Sequence, residues 1–264
     1  THENMESLYL RAHDLKGLGA AYGFPLITRI AGYESAIRDV ALAAACVAHW
    51  HRSPVDGVLG KIFGRLHDQI STTSGLTVWL NLRWHPVLYA FYCAGMGAVE
   101  GRRYDVLAAL FGTRVSVSST GQRPLVLTMG EAVLGAVRDS AWKMIPGFEN
   151  HFFPHSEHLF SVLQPEMDGL FLLGTSYERQ FDEFEILFAL AVIDYEKNGG
   201  RGGGVWAPPG RYAWKWRRYS DAGPPLDSRE YVGQLLAAGL FGGSWDRFGA
   251  AVAALRQFAS ELRG

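Results

Sequence analysis

Residues 181 to 218 constrain this chain more than any other stretch. They open with Phe181-Asp182-Glu183-Phe184-Glu185-Ile186-Leu187-Phe188-Ala189-Leu190-Ala191 and close with Val205-Trp206-Ala207-Pro208-Pro209-Gly210-Arg211-Tyr212-Ala213-Trp214-Lys215-Trp216-Arg217-Arg218. A glycine-rich loop joins the two. Phe184, Leu187, Phe188 and Ala191 recur at helical spacing, which predicts a helix over 182–197 with an apolar face that needs a partner. Three of the eight tryptophans fall within 206–216. Flat rings beside fixed positive charge can stack on bases, clamp a partner, or pin two helices together.

The rest of the chain predicts more helices. They fall at 4–16, 34–51, 57–70, 87–101, 104–111, 131–142, 156–163, 227–240 and 244–262. Val58, Ile62, Leu66 and Ile70 are spaced by four. Pro86 suits a first turn. Gly95, Gly97 and Ala98 let a neighbouring helix come close. Ser156, Asp227 and Ser244 read as caps. Gly17, Gly19, Gly23 and Pro25 punctuate the start, and Ser53-Pro54 and 71–75 read as breaks. Only 112–129 changes character: 114–118 alternates with period two, 120–122 reads as a turn and 125–128 as the returning strand. No repeat of fixed period appears. The expected fold is mainly α, a multi-helix globular domain with one small β-hairpin, not alternating β/α units. The organisation expected is a single domain over 1–264, sub-divisible into a helical bundle (1–111) and a hairpin with helices (112–264), within a longer polypeptide.

With 48% hydrophobic residues the chain can build a sizeable core. Its net charge of −1 gives no general attraction to nucleic acid or membranes, so any such binding needs a local patch. The apolar run 40–48 is too short to span a bilayer, and no secretory signal stands at the start. Cys46 and Cys93 read as free thiols in a reducing, cytoplasmic setting. Neither a membrane nor a cofactor is expected.

Four groups could carry chemistry. His151, His155 and His158 stand beside Glu149 and Glu157 and offer zinc-type ligands, but Pro154 breaks any helix joining His151 to His155. The segment also lacks His-Glu-x-x-His spacing, so these histidines are weak metal candidates and read first as surface or loop residues. Glu178, Asp182, Glu183 and Glu185 could hold a metal or divide acid and base roles. Asp182 and Glu183 equally suit a first helical turn facing the macrodipole. The loop at 199–204 lacks the Lys-Ser/Thr of a phosphate loop and reads as a connector. The fourth group is the basic aromatic segment. Its residues can stack on nucleic acid. Equally, Trp206, Tyr212 and Trp214 can be core anchors whose arginines pair the acids of 182–185. No Gly-x-Ser-x-Gly elbow is present.

Several segments together resemble a known group. Trp84-His85-Pro86-Val87-Leu88-Tyr89-Ala90 runs into Gly95-Met96-Gly97-Ala98-Val99 and Arg103-Tyr104-Asp105-Val106-Leu107, followed by the 181–190 and 206–214 segments. The combination resembles the helical C-terminal region of bacterial multidomain anti-phage defence proteins, over roughly residues 60 to 220. In them the region follows an N-terminal effector, often sirtuin-like. The resemblance implies a sensing, regulatory or oligomerisation role, with chemistry elsewhere. No sirtuin catalytic pattern appears here.

The expected function is therefore a regulatory domain acting by protein contact, its partner a second copy of the chain or a phage-derived trigger. Trp206, Arg211, Trp214, Trp216 and Arg217 are its candidate contact residues, as large aromatics and arginines dominate interfaces. One alternative is nucleic-acid or nucleotide binding through the same segment. The other is a metal-dependent hydrolase built on His151, His155, His158 and a nearby carboxylate.

Overall fold

The computed structural model describes residues 25–50, 57–70, 77–117, 121–138, 140–199, 206–218 and 223–261. The expected helix at 4–16, the glycines at 17, 19 and 23, the breaks at 53–54 and 71–75 and most of the 199–204 loop lie outside these residues.

The elements are helices α1 (Pro25–Trp50), α2 (Val58–Asp68), α3 (Thr77–Leu82), α4 (His85–Glu100) and α5 (Tyr104–Gly112), strands β1 (Arg114–Val117) and β2 (Gly121–Pro124), then helices α6 (Leu125–Arg138), α7 (Pro154–Phe171), α8 (Tyr177–Asn198), α9 (Arg211–Arg218), α10 (Arg229–Ala237) and α11 (Trp245–Glu261). Short 3-10 turns link some of them. This is a mainly α globular fold with one two-stranded antiparallel hairpin, as its sequence pattern predicts.

Two helices form the centre. In α4 every residue from Val87 to Val99 is buried, and in α8 every residue from Gln180 to Asp194. A helix buried all round needs neighbours on every side, and small residues supply the closest approach. A Cβ on Gly97 would stand 2.5 Å from the backbone oxygen of Ala45 on α1, and one on Gly95 would stand 1.9 Å from the Phe184 ring. Phe91 packs edge-on against Phe184 and Phe188, at 5.6 and 5.1 Å between ring centres. One hydrophobic core runs through both halves of the chain, from Ile37 to Leu255. A smaller cluster forms around Ile30, Leu82, Ala136, Trp142 and Ile145.

The elements differ from the sequence reading in instructive places. The hairpin pairs Arg114 with Pro124 and Val117 with Gly121, so the second strand is 121–124, not 125–128. Leu125 to Met129 are all buried and open α6. A continuous apolar run fits a buried strand or a buried helix equally well. α8 begins at Tyr177, so Glu178, not Asp182 or Glu183, is the acid of its first turn. α7 starts at Pro154 and runs past Pro165 to Phe171, which places Ser156 inside the helix and not at its cap. Ser228, not Asp227, caps α10, by accepting the Tyr231 N–H. Helix α9 has no counterpart in the sequence reading. Among the described residues no helix is long and apolar enough to cross a membrane.

Candidate metal centre

Three helices bring four side chains together. α1 supplies Glu34, α4 supplies His85 at its first residue, and α7 supplies His155 and His158 in its first two turns. Positions i and i+3 share one helical face, so starting α7 at Pro154 aims both imidazoles the same way. His158 Nε2 lies 2.6 Å and His85 Nε2 2.9 Å from the same oxygen, Oε1 of Glu34. His85 Nδ1 stands 3.4 Å from His155 Nε2. Trp142, itself buried, packs on all three rings at 4.9, 4.5 and 5.4 Å for His85, His155 and His158.

Glu34 is held ionised by its two imidazole partners, whose protons a bound cation would have to displace. Burial works to raise the Glu34 pKa, but the charge and hydrogen bonds of His158 and His85 outweigh it and hold the carboxyl down at about 2. Burial favours neutral imidazole at His85 and more strongly at His155. An ionised carboxylate with two imidazoles is a common donor set for zinc and other first-row divalent ions. One ligand atom from each of Glu34, His85 and His158 lies within 4.8 Å of the others. Three atoms about 2.0–2.2 Å from one centre are of that order apart. His155 then plays the outer part, its ring nitrogen fixing the orientation of His85. The side chains of Glu34 and His158 keep 18% and 11% of their exposure, so solvent reaches one side.

The histidine triplet of the sequence reading thus divides. His155 and His158 belong to this centre. His151 lies outside it, its Nδ1 3.9 Å from Glu157 and its ring against Phe148. Glu34 and His85 were missed. They stand 124 and 70 residues from their partners on α7, and no local spacing links them. The one legible signal was His-x-x-His at a helix start.

The basic aromatic segment takes a different place. Arg211 is buried, its guanidinium 3.0 Å from Glu157, 3.1 Å from Glu178 and 3.4 Å above the Phe160 ring. Lys215 pairs with Asp182 and stands 2.5 Å from Glu178. Trp214 donates its indole N–H to Glu157 at 3.0 Å. Trp206 lies over Gly130, and Trp216 packs edge-on to Tyr212 at 5.9 Å. Trp206, Trp214 and Trp216 are each partly buried against the core. The Arg217 side chain lies outside the described residues. The positive charge of Arg211 and Lys215 is therefore matched by Glu157, Glu178 and Asp182.

The acids of α8 face inward. Glu185 accepts from Ser156 at 2.7 Å and from Tyr92 at 3.0 Å, and burial raises its pKa to about 7. Burial also raises Asp182, against the pull of Lys215. Glu183 accepts from the hydroxyls of Tyr104 and Tyr231 at 3.0 and 2.8 Å. Comparison with protein-family models, with curated proteins and with solved structures finds no match.

Proposed function

We propose that this chain is a metal-dependent protein of the hydrolytic kind, holding one divalent ion with Glu34, His85 and His158. The observation that supports it is the convergence of one carboxylate and two imidazoles from three helices, with His155 behind them. Three protein ligands leave a position for water, and a bound cation lowers that water's pKa toward neutrality. Hydrolysis is one reaction class that such a centre serves.

The test is metal content after loading with zinc or cobalt and exhaustive dialysis, with cobalt's visible absorption as a second readout. Stoichiometric metal is expected. His158→Ala should abolish it, and His155→Ala should weaken affinity about 10–100-fold. His151→Ala should leave it unchanged. Absence of stoichiometric metal, or equal loss in the His151 and His158 variants, would sink the proposal.

A second reading is the regulatory domain that acts by protein contact, as the anti-phage resemblance implies. Support for it comes from Trp50 and Leu172, exposed at 56% and 89%. Both adjoin Phe171, whose ring lies 5.3 Å from that of Trp50. An exposed apolar group of this kind suits a partner's surface. Light scattering of the chain and of a Trp50→Ser/Leu172→Ser variant tests self-association: equal monomeric masses would remove that form of the reading.

A further inference from the structure

The other end of α4 carries a cavity of about 460 Å³ between α4, α8 and α10. That volume falls in the range of small-molecule sites, about 300–1,000 Å³. Its nearest lining residue on α4 is Val99, 14 positions from His85, so it lies about 21 Å along the helix from the metal centre.

The floor is rich in acceptors. Gln180 donates its Nε2 to Glu100 at 2.5 Å, which leaves its Oε1 pointing elsewhere. That oxygen is buried without a hydrogen-bond partner, in a residue only 9% exposed. A buried polar atom without a partner is uncommon in a native fold. Glu183 lies one turn away on the same face and also lines the cavity. Both tyrosine hydroxyls that reach Glu183 bond the same oxygen, Oε1. One oxygen of Glu183 is left, and one of Glu100. A compact group with several N–H donors fits Gln180, Glu183 and Glu100, and an ammonium has three.

The rim has the opposite character. Arg102 and Arg179 are exposed, line the same cavity, and form no ion pair among the described residues. Arg102 has φ 51°, in the left-handed region just past the end of α4. Glycine or asparagine is usual there, because a Cβ crowds the backbone in that conformation.

We infer that this cavity binds a free α-amino acid. Its ammonium is held by Gln180, Glu183 and Glu100, and its carboxylate by Arg102 and Arg179. The side chain takes the remaining volume, beside Tyr231.

Calorimetric titration of the full chain with each of the twenty free L-amino acids tests this. A chelator is present throughout, so that coordination to a metal at the distant centre is not read as binding. At least one amino acid should bind. Its decarboxylated amine and its deaminated acid should each bind tenfold or more weakly. Arg102→Gly relieves the backbone and should fold at least as well as the parent by urea midpoint, yet bind tenfold or more weakly. Arg179→Ala should do the same. No binding by any amino acid, an amine or acid that binds as well as its parent, or unchanged affinity in Arg102→Gly overturns the assignment.

Discussion

Gly210 presses its backbone against the carboxyl group of Glu185: a Cβ at Gly210 would stand 2.5 Å from each of the two oxygens. The chain entering α9 therefore closes over a buried carboxyl that already accepts from Tyr92 and Ser156. The Arg211 N–H completes the contact by donating to Ser156 at 3.1 Å. Gly210→Ala must push one of these groups away in a core with no room to give. It should cost about 2 kcal/mol, read as a lower urea midpoint. An unchanged midpoint would mean that the segment yields freely.

The same carboxyl makes stability depend on pH. Tyr92, Asp182, Arg211 and Tyr212 are the titratable and charged groups whose interactions with it are resolved, and burial lifts its pKa from 4.5 to about 7. A carboxyl with a raised pKa binds its proton more tightly when folded. Its stabilising contribution is full below about pH 4.5 and is lost as pH rises toward about 7. The loss is roughly 3 kcal/mol, at about 1.4 kcal/mol per pH unit. Glu185→Gln cannot ionise and should flatten this slope. Urea unfolding of both proteins at pH 5, 6, 7 and 8 gives the comparison; parallel curves would show that Glu185 does not titrate in this window.

Two glycines separate packing from propensity. Gly97→Ala puts a Cβ 2.5 Å from the Ala45 backbone oxygen, which no rotamer change relieves. It should destabilise by about 1–3 kcal/mol. Gly64 is also helical, and nothing lies within 4 Å of a Cβ there. Gly64→Ala should stabilise by up to about 1 kcal/mol. Thermal midpoints moving in the same direction would show that the α1–α4 approach is not the constraint.

Arg211 offers a test of the basic segment. Removing its guanidinium leaves Glu157 without its buried cation and Phe160 without its cover. Breaking a buried pair costs about 3–5 kcal/mol, against about 0–1 for an exposed one. Arg211→Ala should therefore lower the unfolding midpoint far more than Arg38→Ala, whose pair with Glu166 is half exposed. Lost assembly with an unchanged midpoint would instead return Arg211 to the role of a contact residue.

Much of this architecture was legible in the chain because helix formation is local. The stripe of Phe184, Leu187, Phe188 and Ala191 located α8, Pro86 marked the start of α4, and Gly97 announced a close helix crossing. Where local signals are degenerate the sequence misleads. Leu125 to Thr128 read as strand, yet buried helix has the same apolar run.

Charged residues were the other blind spot. On a helix a charge ordinarily marks the solvent face, yet Asp182 and Glu183, which read as a first turn, and Glu185 beside them are each buried and hydrogen-bonded. The sequence by itself determined that helices form, roughly where, and that their apolar stripes need partners, because those properties depend on neighbours three and four residues apart. Only the tertiary structure decided that Glu34 meets His85 and His158 across 51 and 124 residues, and that Arg211 turns inward. Such pairings depend on how helices cross, which is a property of the whole core and not of any window along the chain.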